Sequence, residues 1–136
     1  MPEPADTALA FAHALEGADF DRLRELCGPG FTFVGLGPEP LDADTFVAIE
    51  RDFHAAFAGV AYEPELVRTE GDTAVVRLLV SGRHTGPFLG REPTDAEFAL
   101  PPQDARYTVR DGAVVRAELP PTPGAGLDGI LAQLGD

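Results

Sequence analysis

Thr73-Ala74-Val75-Val76-Arg77-Leu78-Leu79-Val80-Ser81-Gly82-Arg83 is the stretch on which the fold turns. Its even positions, Ala74, Val76, Leu78 and Val80, are all apolar, and its odd positions include Thr73, Arg77, Ser81 and Arg83. Successive side chains of a strand point to opposite faces, so this alternation predicts one buried and one more polar face. The neighbouring segments repeat the pattern. Ala61 to Thr69 reads as a mixed strand interrupted early by Pro64, and Gly71-Asp72 as the turn that follows it. Beyond a Gly/Pro-rich loop, Phe98 and Leu100 begin another strand. Pro101-Pro102 interrupts it, because proline cannot donate to a ladder. Ala105, Tyr107 and Val109 resume the alternation, Asp111-Gly112 is the clearest hairpin turn, and Ala113, Val115, Ala117 and Leu119 form the expected inward set of a last strand.

The residues before this β region read differently. Ala8, Phe11, Ala12 and Leu15 recur at helical spacing from about Asp6 to Glu16, with Asp6 or Thr7 as a cap and Gly17 as a stop. A short helix from about Asp19 carries Phe20, Leu23 and Leu26 and stops at Gly28-Pro29-Gly30. Phe31 to Val34 predicts a short strand, closed by Gly35, Gly37 and Pro38. A third helix is expected from about Asp42 to Ala58, capped by Asp42 or Asp44, with Phe46, Ile49, Phe53 and Phe57 as its apolar stripe. Pro120 to Gly126 leads to a short amphipathic end carrying Leu127, Ile130, Leu131 and Leu134. Helices first and strands afterwards indicate one α+β domain rather than βαβ units, with the helical stripes packed on the apolar face of the sheet.

Composition narrows the function. The chain has 136 residues, enough for one core, and 44% of them are hydrophobic. Ten basic against 23 acidic residues give a net charge of −13, a field that repels nucleic acid. The single cysteine, Cys27, allows neither an intrachain disulfide nor a thiolate metal cage. No apolar run approaches the ~20 residues that cross a bilayer, and the first residues lack the features of a signal peptide, so a cytoplasmic protein is expected. His13, His54 and His84 have no metal-ligand spacing between them, and no metal site is expected.

The stretch from Ser81 to Thr94 carries Gly82, His84, Thr85, Gly86, Phe88, Gly90, Pro93 and Thr94 in an order that resembles a hallmark of SnoaL-like polyketide cyclases: G-T-H-T-G, an acidic or small residue, then F-x-G-x-x-P-T. Arg110-Asp111-Gly112 is similar to that family's hairpin before the last strand, and Leu131-Ala132-Gln133-Leu134-Gly135 to its terminal L-x-Q-L-G. Phe53 to Phe57 resembles the helix end before its first long strand. The resemblance implies the nuclear-transport-factor-2-like fold. In that fold three helices close the concave side of a strongly curved, mainly antiparallel sheet, giving a cone-like barrel with an internal apolar pocket. It also implies a homodimer, a small apolar ligand, and ring closure by proton transfer without a cofactor. The family's last strand often reads I-V-E-H-W, whereas this chain has Ala117 at the His position and Glu118 at the Trp position. Gly126 stands where the family's acid tends to sit.

These residues leave two readings open. One is a cofactor-independent enzyme acting on a small apolar carbonyl compound, with His84 as acid/base, helped by Asp104 or Glu118. The other is a non-catalytic module for ligand binding or dimerisation on the same fold. His84 and Thr85 equally suit a purely structural hairpin, Glu118 a salt bridge with Arg116, and Asp104 a loop. Phe33, Phe53, His54, Phe57, Tyr62, Phe88 and Tyr107 are the expected ligand-binding lining; the Phe and Tyr residues are equally candidates for the core, and His54 for a surface or boundary position.

Overall fold

The structure is a computed structural model that describes residues 3–35, 39–88, 90–122 and 127–134. Helix α1 (Pro4–Glu16) buries Ala8, Phe11, Ala12 and Leu15, the stripe expected from sequence. It begins two residues earlier than Asp6, because Pro4 fits the first helical turn, where its missing N–H would be unpartnered anyway. Helix α2 (Phe20–Leu26) is capped by Asp19, which accepts the Arg22 amide at 3.2 Å. Helix α3 (Ala43–Ala56) is capped by Asp42, which accepts the Thr45 amide at 2.8 Å. Its buried face runs through Ala43, Phe46, Val47 and Glu50, so the expected stripe is off by one position: Ile49 is 40% exposed and Glu50 is buried. Phe57 is no longer helical and opens a strand.

The strands are β1 (Cys27–Val34), β2 (Phe57–Ala61), β3 (Glu65–Glu70), β4 (Thr73–Leu78), β5 (Ser81–His84), β6 (Glu97–Ala99), β7 (Gln103–Arg110) and β8 (Ala113–Glu118). A short helix, α4 (Leu127–Leu134), follows. Five strands pair in the order β1-β8-β7-β4-β3, and three in the order β2-β5-β6. All ladders are antiparallel except β1 with β8. The sheet is curved and not closed.

Three local readings are corrected. The stretch Thr73–Arg83 is two strands, because pairing passes from one sheet to the other at Leu79-Val80. Asp104 lies within β7 rather than in a loop. In β8 the register shifts, with Val109 opposite Val114 but Thr108 opposite Arg116. Val115 is the extra residue of that bulge, so Val114 and Ala117, not Val115, are fully buried. At the β7–β8 turn both Asp111 (φ 52°) and Gly112 (φ 74°) are left-handed, as a tight hairpin requires.

Apolar burial holds these layers together. Phe11, Phe46, Phe57, Leu23 and Tyr107 are all completely or almost completely buried, and each such side chain stabilises the fold by about 1.5–3 kcal/mol. Phe11 touches Phe31, Phe46 and Tyr107 at ring centroid distances of 6.0, 5.9 and 5.2 Å, so α1, α3, β1 and β7 meet in one aromatic cluster. Phe33 joins it by stacking on Phe46 at 4.5 Å.

Candidate functional site

Helix α3 supplies the centre of the site. Glu50 lies one turn beyond Phe46 and one turn before His54, so the stripe that buries Phe46 carries a carboxyl group into the interior. Tyr62, just beyond β2, donates its hydroxyl to Glu50 Oε2 at 3.1 Å. Tyr107, at the middle of β7 opposite Ala74 and Ala117, lies close enough to feel the Glu50 charge.

Burial dominates the electrostatics here. It pushes the Glu50 carboxyl from the usual 4.5 up to about 7, against the smaller lowering effect of the Tyr62 hydrogen bond. The same burial, with the adjacent carboxylate, raises the Tyr62 and Tyr107 phenols, which stay protonated donors. His54 completes the group. Its ring stacks on Tyr62 at 5.9 Å and meets the edge of Phe20 at 5.5 Å. The Leu15 carbonyl accepts from the ring, while Nε2 is buried without a partner. Burial lowers its proton affinity, favouring the neutral imidazole.

A second cluster surrounds His84, which is fully buried. Its Nδ1 accepts the Thr94 amide at 3.2 Å and faces Thr94 Oγ1 at 3.0 Å. In the neutral ring the proton therefore sits on Nε2, which is buried without a partner. The ring lies 5.4 Å from that of Phe57, which in turn contacts Phe53, Phe88 and Phe98 at 5.0, 4.9 and 5.0 Å. The residues that follow explain the H-T-G pattern. Thr85 Oγ1 accepts the Ala58 amide at 3.1 Å, and the Thr85 and Gly86 amides donate to the Ala56 carbonyl at 2.9 and 3.0 Å. A side chain at Gly86 would run into the Ala55 carbonyl. The motif thus fastens the hairpin to the end of α3.

The remaining carboxylates named from sequence lie on the outer side of the sheet. Asp104 accepts a two-pronged bond from Arg77, at 2.9 and 3.3 Å, and Glu118 pairs with Arg116 at 3.0 Å. Neither meets His84 or Glu50. Tyr62 bonds Glu50, Tyr107 lies within reach of its charge and His54 stacks on Tyr62. Phe57 meets the His84 ring, with Phe53 and Phe88 packed behind it, and Phe33 belongs to the aromatic core. Gly126 and Leu89 lie outside the described residues, as do Pro123 to Gly126 and the terminal Gly135. Glu50 was missed by the sequence reading, although it stands four residues after Phe46 and three before Phe53.

Among the described residues no three His, Cys, Asp or Glu side chains come together to hold a metal ion. No described helix is long and apolar enough to cross a membrane. An open groove of about 450 Å³ runs between the end of α2, β1 and the start of α3, lined by Arg24, Cys27, Phe31, Asp42 and Asp44 among others. None of the groups around Glu50 borders it, and burial pushes the Cys27 thiol up to about 11, which leaves it unreactive at neutral pH.

A bent, open, mostly antiparallel sheet with its inner face covered by the N-terminal helices defines the nuclear-transport-factor-2-like class. Within that class the SnoaL-like domain family matches residues 8–117, and the chain belongs to it. Solved structures agree. IdmH from Streptomyces antibioticus, a candidate polyketide cyclase, is 25% identical with a TM-score of 0.78, and the match covers 99% of this chain and 100% of that one. A candidate SnoaL-like polyketide cyclase from Jannaschia sp. CCS1 is 24% identical with a TM-score of 0.80, covering 98% and 92%. AclR from Streptomyces galilaeus, a candidate hydroxylase, is 19% identical at 0.78, covering 97% and 95%. No curated protein matches the chain.

Proposed function

We propose that this chain is a cofactor-independent cyclase or isomerase that moves a proton next to the carbonyl of a small apolar compound, with Glu50 as the proton-transfer group. The observation that carries this reading is the buried Glu50 carboxyl, held by Tyr62 and raised to about 7. A group that titrates near the working pH can both take and return a proton. Ionised Glu50 would remove the α-proton, and the Tyr62 or Tyr107 phenol would donate to the enolate oxygen that develops. The enolate then attacks a second carbonyl and the new alkoxide takes the proton back from Glu50, or Glu50 returns the proton at another carbon; either way the carboxylate is restored and no electrons are gained or lost. His84, Asp104 and Glu118, the acid/base groups suggested by sequence, have less in their favour. The first is tied to Thr94, and the other two are paired with arginines on the outer face.

The test is proton exchange. Small apolar ketones, steroid enones and aromatic polyketides would be incubated with the protein in deuterated water and followed by NMR. Glu50→Gln should lower exchange at the α-carbon by about 10²–10⁴-fold while the fold is retained. Exchange equal to that of the parent protein would remove Glu50 from the mechanism.

A second reading, ligand binding without turnover, draws support from Ala117, which stands where the family's imidazole is expected. On that reading a ligand raises Tm equally in the parent and Glu50→Gln, and neither exchanges a proton. We also infer a cytoplasmic homodimer, on the strength of the family resemblance. Sedimentation equilibrium tests its stoichiometry.

A further inference from the structure

Tyr62 is held at three places. Glu16, the last residue of α1, accepts both the Tyr62 amide at 2.8 Å and the Glu63 amide at 2.9 Å through one carboxylate oxygen. The Tyr62 carbonyl accepts the Leu79 amide at 2.8 Å. The hydroxyl reaches Glu50. Glu63 sits at φ 43°, a left-handed conformation that a residue without special reason avoids. The Glu16 carboxylate, which prefers its charged form because it accepts these two amides, holds the backbone in that bend. Among the described residues no other side chain bonds the Tyr62 or Glu63 amide.

We propose that Glu16 is a positioning residue for the site. By clamping the bend at Tyr62 and Glu63 it sets the Tyr62 hydroxyl on Glu50, and so tunes the proton affinity of a carboxyl it does not touch. This rests on the reading of Glu50 as the proton-transfer group. The titratable groups around Glu50 are Tyr62 from beyond β2, which bonds it, Tyr107 from β7, which its charge reaches, and His54 one turn along α3, which stacks on Tyr62. From α1, Glu16 faces Tyr62, and the exposed His13 lies near Glu16. Of these, only the Tyr62 hydroxyl is hydrogen-bonded to the Glu50 carboxylate, and such a bond stabilises the charged form. Weakening it therefore moves the Glu50 midpoint upward.

The experiment is a pH titration of the Glu50 side-chain carbon by NMR in ¹³C-labelled protein, which needs no substrate. Tyr62→Phe should raise the midpoint by about one pH unit. Glu16→Ala should raise it by a similar amount, and adding it to Tyr62→Phe should raise it no further. Glu16→Gln keeps an acceptor oxygen in place and should leave the midpoint near that of the parent, which a general loss of stability would not. If Glu16→Ala does not fold, Glu16→Asp, one methylene shorter, should show part of the rise. A Tyr62→Phe shift with no shift in Glu16→Ala or Glu16→Asp would overturn the inference about Glu16 alone. A Glu50 midpoint that stays near 4.5 in every protein would overturn both the inference and the reading beneath it.

Discussion

Glu50 on the inner side of α3 and Glu70 at the end of β3 carry the same side chain in opposite surroundings. Glu70 is solvated and bonded by Arg68 and by Arg106, the latter at 3.1 Å, and both arginines hold it below the usual carboxylate range. Among the described residues no cation pairs with Glu50; the Tyr62 phenol is its partner, and burial outweighs that hydrogen bond. The outer face of the sheet repeats the first arrangement in Arg77–Asp104 and Arg116–Glu118. A carboxylate paired in water is a permanent charge, whereas one stranded under helices is a proton carrier near neutral pH. The contrast explains why burial predicts a carboxyl group's chemistry better than residue type does.

The largest stability effect should come from the inner region. Phe46→Ala removes a ring that stacks on Phe33 and Phe11 and should destabilise by about 3–5 kcal/mol, measurable by urea unfolding. A loss under 1 kcal/mol would mean that the cluster is loosely packed. Next comes the pH dependence of Glu50. Its pKa in the folded state lies above its unfolded value, so folding favours the proton. The stability that goes with this is complete below about pH 4.5 and is lost as pH rises through about 7. Compared with Glu50→Gln, the parent protein should therefore lose about 3 kcal/mol between pH 4 and pH 8. Parallel stability curves for the two would place Glu50 in water. The smallest effect belongs to the outer face. Arg77→Ala breaks a two-pronged but solvated ion pair and should leave Tm almost unchanged, with the small difference from the parent shrinking on added salt. A marked fall in Tm would show that this face is covered by a partner.

Much of this architecture was legible in the chain itself. The even-numbered apolar run from Ala74 to Leu78 marked β4, and the H-T-G stretch marked the hairpin that locks onto Ala56. The change of sheet at Leu79-Val80 was not legible, because alternation continues unbroken through it. The β8 bulge at Val115 also left no trace, since valine suits either side of a strand. Tyr62, Tyr107 and His54 were recognisable as lining candidates. Glu50 is hidden in the sequence because Ile49, one position away, completes an apolar helical stripe with Phe46 and Phe53. The useful signal was the charged residue at +4 from Phe46 and −3 from Phe53. A carboxylate there must either distort the helix face or be buried for a purpose.

The ionisation midpoint of Glu50 in the unmodified protein tests the account most directly. A ¹³C titration placing it close to 7 is the predicted result. A midpoint close to 4.5, the ordinary solvated carboxyl, would contradict it and leave the interior without a proton carrier.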